Sequence, residues 1–378
     1  MAGYIVLAPE GIDLPNADAV LGDPNNPGTT THYALNAEVP LSRLIPGQYQ
    51  WLVQQGILDP AGSGFGGGEN LLHNGAFNVW QRGTSTTTTS AVTSYGPDRW
   101  HVYSGTTGRT VSVQTGTDEI RACVRYQRDS GNSNTNVNYL GQNIETVNSR
   151  HLSGKAVTIS FWARAGANYS SASNGLSVQV RSGTGTDESM FTGFTGNNNF
   201  INQTATLTTT WTKYEYTGTV PAGTTQLGAI FYYTPVGTAS TNDYFEVTGV
   251  QLEQGSAATP YKHKDYGQEL AECQRYYYRS EGTFGTGQCS GTTGGYVFVR
   301  FPVQMRTLAA LSTTGTASDY KVWAANTSPV TCSAVPTDFN ENEQGSCIAF
   351  TVASGLVAGN ATGLWSDTGG YLGFSADL

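Results

Sequence analysis

Charge is scarce in this 378-residue chain: Asp, Glu, Lys and Arg together make up 12%, about half the ~25% usual in soluble domains. What charge there is leans acidic, at −9 overall with an isoelectric point near 5.0. Phosphate recognition needs clustered Lys and Arg, so this balance argues against a nucleic-acid partner. No apolar run approaches the ~20 residues needed to cross a bilayer, which argues against membrane insertion. The opening MAGYIVLAPEGIDLPNAD has neither a basic stretch nor an apolar core, so export by an N-terminal signal peptide is not expected. The five cysteines, Cys123, Cys273, Cys289, Cys332 and Cys347, show no CxxC or CxxH spacing, which speaks against zinc. Synthesis in a reducing cytoplasm disfavours disulfides, with a Cys332 to Cys347 bridge as the alternative. Catalytic signatures are missing too: there is no GxSxG, HExxH or GxxxxGK[ST], and the five histidines are scattered. Nor do repeated rungs of a β-helix occur. The expectation is a non-enzyme with no cofactor and no metal.

What the chain does have is glycine, 47 residues of it, among many Ser, Thr and Asn, which favours short strands and frequent turns over helices. Residues 1–61 carry Pro or Gly every few positions and hold no sustained period. They bury little alone and are expected to be an extended anchor that orders against a partner. Within them PGQYQWLVQQG places Tyr49, Leu52 and Val53 on one face of a short helix. Residues 62–68, GSGFGGG, form a flexible linker. From 69 to 264 strand-like alternation recurs, as in Val157, Ile159 and Phe161, in Leu176, Val178 and Val180, and in Leu227, Ala229, Phe231 and Tyr233. In YFEVTGVQLEQ the parity changes from Phe245 and Val247 to Val250 and Leu252, the pattern of a strand with an extra residue at Gly249. Residues 265–280 return to a helical period, with Asp265 and Gln268 placed as a capping-box pair. Residues 281–378 make a second β-rich unit. The fold class expected is therefore all-β: a jelly-roll β-sandwich, a connecting helix, then a smaller β-rich domain, all behind an extended N-terminal anchor.

Two separated motifs carry a resemblance. ENLLHNGAFNVWQRG, with YGPDRW after it, and GVQLEQGSAATPY, with YGQELAECQRYYYR after it, resemble in this order the opening and closing of a module found in bacteriophage tail-fibre and other virion surface proteins. They bracket residues 69–279, over half the chain, and FPVQMR and GYLGFSADL resemble the C-terminal part that succeeds this module in phage proteins. The module is similar to carbohydrate-binding modules that begin N-L-L-x-N-G-x-F. The resemblance implies a jelly roll displayed on a virion, as a fibre or spike adhesin made in the host cytoplasm. It also implies a homotrimer that meets other virion proteins through residues 1–60 and host cell-surface polysaccharide through the sandwich. Alternatives are a capsid decoration or head-fibre protein with no sugar ligand, and a polysaccharide depolymerase. Related modules often hold calcium, but Asn78 stands where their Glu would be, and Thr248 and Gly249 where their acidic pair would be. That site is not carried over.

Sugar recognition needs aromatic faces for pyranose C–H groups and planar polar side chains for hydroxyls. Trp162, Trp211, Tyr214, Tyr216 and Tyr232 are candidates on the expected outer parity of the sandwich. In the C-terminal unit Tyr320, Trp323 and Phe339, near the acidic Asp338, Glu341 and Glu343, fall in a stretch that reads as turn-rich loops, with Trp323 and Phe339 as further candidates. Trp100 of the DRW motif is expected inside the sandwich, with Asp98 and Arg99 fixing its turn. The run Tyr276, Tyr277 and Tyr278 is expected to pack between domains.

Overall fold

The computed structural model describes residues 69–378 apart from 89–93, 106–107, 326–327 and 368, together with one strand pair in the leader, β1 (Tyr4–Val6) antiparallel to β2 (Glu38–Pro40). The short helix expected in PGQYQWLVQQG and the glycine linker lie outside the described residues. After Glu69 two six-stranded antiparallel sheets face each other. One has the order β11 (Asn198–Thr206), β10 (Gly175–Gly183), β13 (Gln226–Tyr233), β8 (Asn138–Ile144), β5 (His101–Ser104), β4 (Ser94–Tyr95). The other has β12 (Thr212–Thr219), β9 (Ala156–Ala165), β14 (Tyr244–Gln254), β7 (Ala122–Arg128), β6 (Arg109–Thr115), β3 (Ser85–Thr88). Alternation decides which side chains enter: Val178 and Val180 from β10 and Phe231 from β13 meet Ile159 and Phe161 from β9 and Val247 from β14, all fully buried. The molecule is thus all-β, a jelly-roll sandwich succeeded by further sheets.

Letters of the opening motif are scaffold. Asn70 clamps the opening onto β14, its Nδ2 donating to Val250 O at 2.9 Å while its Oδ1 accepts from Leu72 N at 3.1 Å and Leu252 N at 3.0 Å. Asn74, at φ 54°, likewise holds Val79 and the carbonyl of Asp98. Trp100 fills the core between Phe77, with ring centroids 5.1 Å apart, and Phe231. β14 carries the extra residue its parity demands: pairing with β9 shifts register between Thr248 and Gln251, and Gly249 sits there at φ +59°.

The connecting helix is shorter than expected, Tyr266–Gln274. Asp265 caps it by accepting from Gly267 N at 2.8 Å, but the capping box does not close, because Gln268 Nε2 turns instead to Glu272 Oε1 at 3.0 Å. From Tyr277 the chain is already strand: β15 (Tyr277–Glu281) pairs with β23 (Tyr371–Ser375), which also pairs with β18 (Ala310–Thr313). The rest is a closed barrel, β16 (Thr283–Cys289), β17 (Gly294–Arg300), β21 (Gly345–Val352), β20 (Val330–Asn342), β19 (Tyr320–Ala324), β22 (Ala361–Ser366). The turn-rich loops expected here are barrel wall. Tyr320 is fully buried with its hydroxyl on Tyr371 O at 2.6 Å, and β20 hides its alternation behind three register shifts. Cys332 and Cys347 are unpaired, since their ladder partners are Val352 and Asn340.

The two β units are stitched together. Arg99 leaves the sandwich to lie 3.4 Å over the Tyr276 ring, and Arg82 lies 3.4 Å over Tyr277 while pairing with Asp377. Tyr276 and Tyr277 pack between the units, as the sequence suggested, but Tyr278 turns into the C-terminal core against Phe301 and Phe374.

Candidate functional site

On the outer face of the sheet that contains β5, β8 and β13, register puts three tyrosines in one row: Tyr103 opposite Tyr139, and Tyr139 opposite Tyr232. Ring centroids are 5.4 Å and 5.5 Å apart, the spacing of directly opposed strand residues, and each ring is half-buried. Alternation forces this placement, because Val102, Leu140 and Phe231 occupy the inward positions next to them. Beside the row a polar chain crosses β10. Gln179 donates through Nε2 to Asn202 Oδ1 at 2.9 Å and to Tyr232 OH at 3.0 Å, and its Oε1 accepts from Arg181 Nε at 2.9 Å. The amide is thereby locked, and it locks the Arg181 side chain in turn.

A wall rises over the other half of the face. Residues 184–197 fold back so that Met190 and Phe191 lie on the sheet, with Met190 N donating to Asn143 Oδ1 at 3.0 Å and Phe191 packing on His101 at 4.7 Å. Gly141 makes room: a Cβ there would come within 2.7 Å of the Met190 terminal methyl and 2.9 Å of Ala229 O. Between wall and tyrosines opens a cleft of about 240 Å3, lined by Tyr103, Val137, Tyr139, Arg181, Met190, Phe191 and Ile230. Burial raises the Tyr139 hydroxyl above its ordinary pKa and lowers Arg181, whose other electrostatic neighbours are Tyr139 and Tyr232. At neutral pH the face offers phenol hydroxyls, amides and one guanidinium. Its lining has no carboxylate, and glycoside hydrolysis by the usual route needs two.

A second cavity, of about 380 Å3, lies between the connecting helix and the sandwich edge. Its lining mixes apolar Leu71, Val147 and Leu152 with charged groups, Glu272 is tied to Lys264 at 2.7 Å, and burial holds His73 well below the ordinary histidine range.

Of the residues singled out from sequence, Tyr232 lies in the tyrosine row. Trp162 lies on the opposite sheet beside the Gly249 bulge, and Trp211 packs under Arg164 at 4.7 Å. Tyr214 and Tyr216 do not face outward. They turn against the core at the rim, 5.5 Å and 6.3 Å from Phe161, because β12 is an edge strand whose inward parity they occupy. Trp323 and Phe339 are exposed on the outer barrel wall, Phe339 edge-on to Tyr296. The structure does not bring these two to the sandwich residues. Sequence reasoning passed over Tyr103, Tyr139, Gln179 and Arg181. The signal was present in HVYS and NYLGQNI, where each tyrosine flanks a buried apolar residue.

No protein-family model and no curated protein matches the chain. Among solved structures, a CBM22-1 xylan-binding domain from Paenibacillus barcinonensis is similar at 15% identity over 50% of this chain and 97% of its own, with a TM-score of 0.30. A CBM4 structure is similar at 19% identity over 48% of this chain and 97% of its own, with a TM-score of 0.29. The enzymatically active domain of bacteriophage CBA120 tailspike protein 4 is similar at 13% identity over 49% of this chain and 21% of its own, with a TM-score of 0.28.

Proposed function

We propose that this chain binds polysaccharide without cleaving it, through the tyrosine row and its amide rim, and that it does so displayed on a phage particle. The observation that carries the binding reading is the row of Tyr103, Tyr139 and Tyr232, the first two lining an open cleft and the third bonded beside it to Gln179, which also holds Asn202: an apolar platform with hydrogen-bonding groups at its edge. Virion display rests on the order of the motifs ENLLHNGAFNVWQRG and GVQLEQGSAATPY. In that reading residues 1–60 fasten the chain to other virion proteins, three copies assemble, and the host surface supplies the glycan.

The test is retention of the protein in gels cast with host surface polysaccharide. Each lost ring should weaken retention about tenfold in Tyr103→Ala and Tyr139→Ala, with the melting temperature followed alongside. No new reducing ends or unsaturated sugars should form. Retention unchanged in both variants but abolished in Trp323→Ala or Phe339→Ala would move the site to the barrel, and release of oligosaccharides would make the chain an enzyme.

A further inference from the structure

Arg181 is the charged residue of the cleft, and it has no counter-ion among the described residues. Several arginines elsewhere are paired: Arg82 with Asp377, Arg125 and Arg164 with Glu246, Arg128 with Asp243, and Arg275 and Arg306 with Glu145, while Arg121, Arg150 and Arg300, which make no ion pair among the described residues, stand exposed to solvent. Arg99 also lacks a carboxylate, but it is closed off beneath Tyr276 with Nη2 on Asn143 O at 2.8 Å. Arg181 instead opens onto the cleft. Its Nε is held by Gln179, its Nη1 reaches Met190 O only at 3.5 Å, and its Nη2 has no hydrogen-bond partner among the described residues. The fork is thus aimed and half-desolvated, with its outer edge unmet.

From this geometry we infer that the ligand is an acidic polysaccharide, one whose sugar carboxylate meets the Arg181 guanidinium while the adjacent ring lies on Tyr139. The inference rests on the reading of the tyrosine face as a sugar site. A carboxylate matches the planar donor pair of a guanidinium in two parallel bonds, which a hydroxyl does not. It also explains how a protein of charge −9 would hold an acidic polymer: through one local cation and not through its overall field. Burial lowers the Arg181 pKa, the mark of a cation that has lost solvation and that an anionic ligand would compensate.

The experiment is affinity electrophoresis of the full chain at low and high salt in polygalacturonate, alginate and hyaluronate, each beside its carboxyl-reduced form, and in neutral galactan and xylan. At least one acidic polymer should be held about tenfold more tightly than its reduced form at low salt, with the gap narrowing as salt rises. Arg181→Gln should erase the gap, and Arg181→Lys should keep part of it. Melting temperatures of both variants should stay near wild type, because the side chain is partly exposed. Equal binding of acidic and reduced forms, or equal weakening of both by Arg181→Gln, overturns the inference and leaves the sugar face standing. So does retention of neutral polymers alone in a Tyr139-dependent manner. Failure to retain any of the three acidic polymers overturns it too, and Tyr139→Ala on the neutral polymers then decides the sugar face separately.

Discussion

At Arg128 one side chain holds three loops of the sandwich. Its Nη1 donates to Ser170 Oγ at 2.8 Å and Asp243 Oδ2 at 2.9 Å, while Nη2 donates to the carbonyls of Asn132, Asn134 and Gly237 at 2.7, 2.9 and 3.0 Å. Both members of the ion pair are fully buried, so removing the cation strands Asp243 and three carbonyls together. Arg128→Met should lower stability by about 3–5 kcal/mol, read from the urea midpoint at unchanged slope. His101 makes a pH-dependent contribution at the same scale. Burial is the largest cause that pulls it down to about 4, and its Nε2 lies 2.7 Å from both Tyr95 OH and Leu378 O. The unfolded imidazole takes its proton near 6.5, so between about 6.5 and 4 the unfolded chain binds more protons than the folded one. This contribution is whole above 6.5 and is lost as pH falls toward 4, up to about 3 kcal/mol. Burial raises Asp98 and Glu269, whose contributions run the other way at the acid end, so the check is a difference. Wild type should lose more melting temperature between pH 7 and pH 5 than His101→Gln does.

Among the elements, β14 tests how far a bulge can be read from sequence. The change of parity from Val247 to Val250 located it, and the structure adds the reason that glycine stands there: φ is +59°, and a Cβ would lie 2.5 Å from the Ile120 terminal methyl. Gly249→Val should cost about 1–3 kcal/mol, with Gly249→Asn milder because asparagine tolerates the left-handed region, and chemical denaturation of both would show the order. Where one face is dry and the strand unbroken, as in β10 and β13, the pattern of single residues was enough. In β20 three register shifts scramble the same signal, so a thirteen-residue strand looked like loop. β12 misled differently: Tyr214 and Tyr216 alternate as expected, but nothing in an edge strand's own letters says which side is inward. The tyrosine row was hidden for a third reason. It exists only through the register of β5 on β8 and β8 on β13, a non-local fact that no window of sequence contains.

For the whole molecule the question is whether sandwich and barrel act as one body, and Glu145 and Asn143 answer it from opposite sides. Glu145, almost fully buried, accepts from Arg275 Nη2 at 3.1 Å and 3.2 Å and lies 3.8 Å from Arg306 Nε, which in turn donates to Ala376 O at 2.9 Å. Wild type should therefore unfold in a single calorimetric transition. Glu145→Ala leaves two guanidinium groups without their carboxylate, at a cost of about 1–3 kcal/mol, between that of an exposed and a buried pair. The transition should then broaden or split, with glycan retention at room temperature unchanged. Asn143 reaches further, because its Nδ2 donates to Leu378 O at 2.8 Å while its Oδ1 holds Met190 N, the wall of the cleft. Asn143→Ala should thus lower the melting temperature and weaken retention together. If Asn143→Ala moved only the melting temperature, the wall would stand without its link to the barrel. If Glu145→Ala also abolished retention, the cleft would depend on interdomain docking as a whole and not on that one amide.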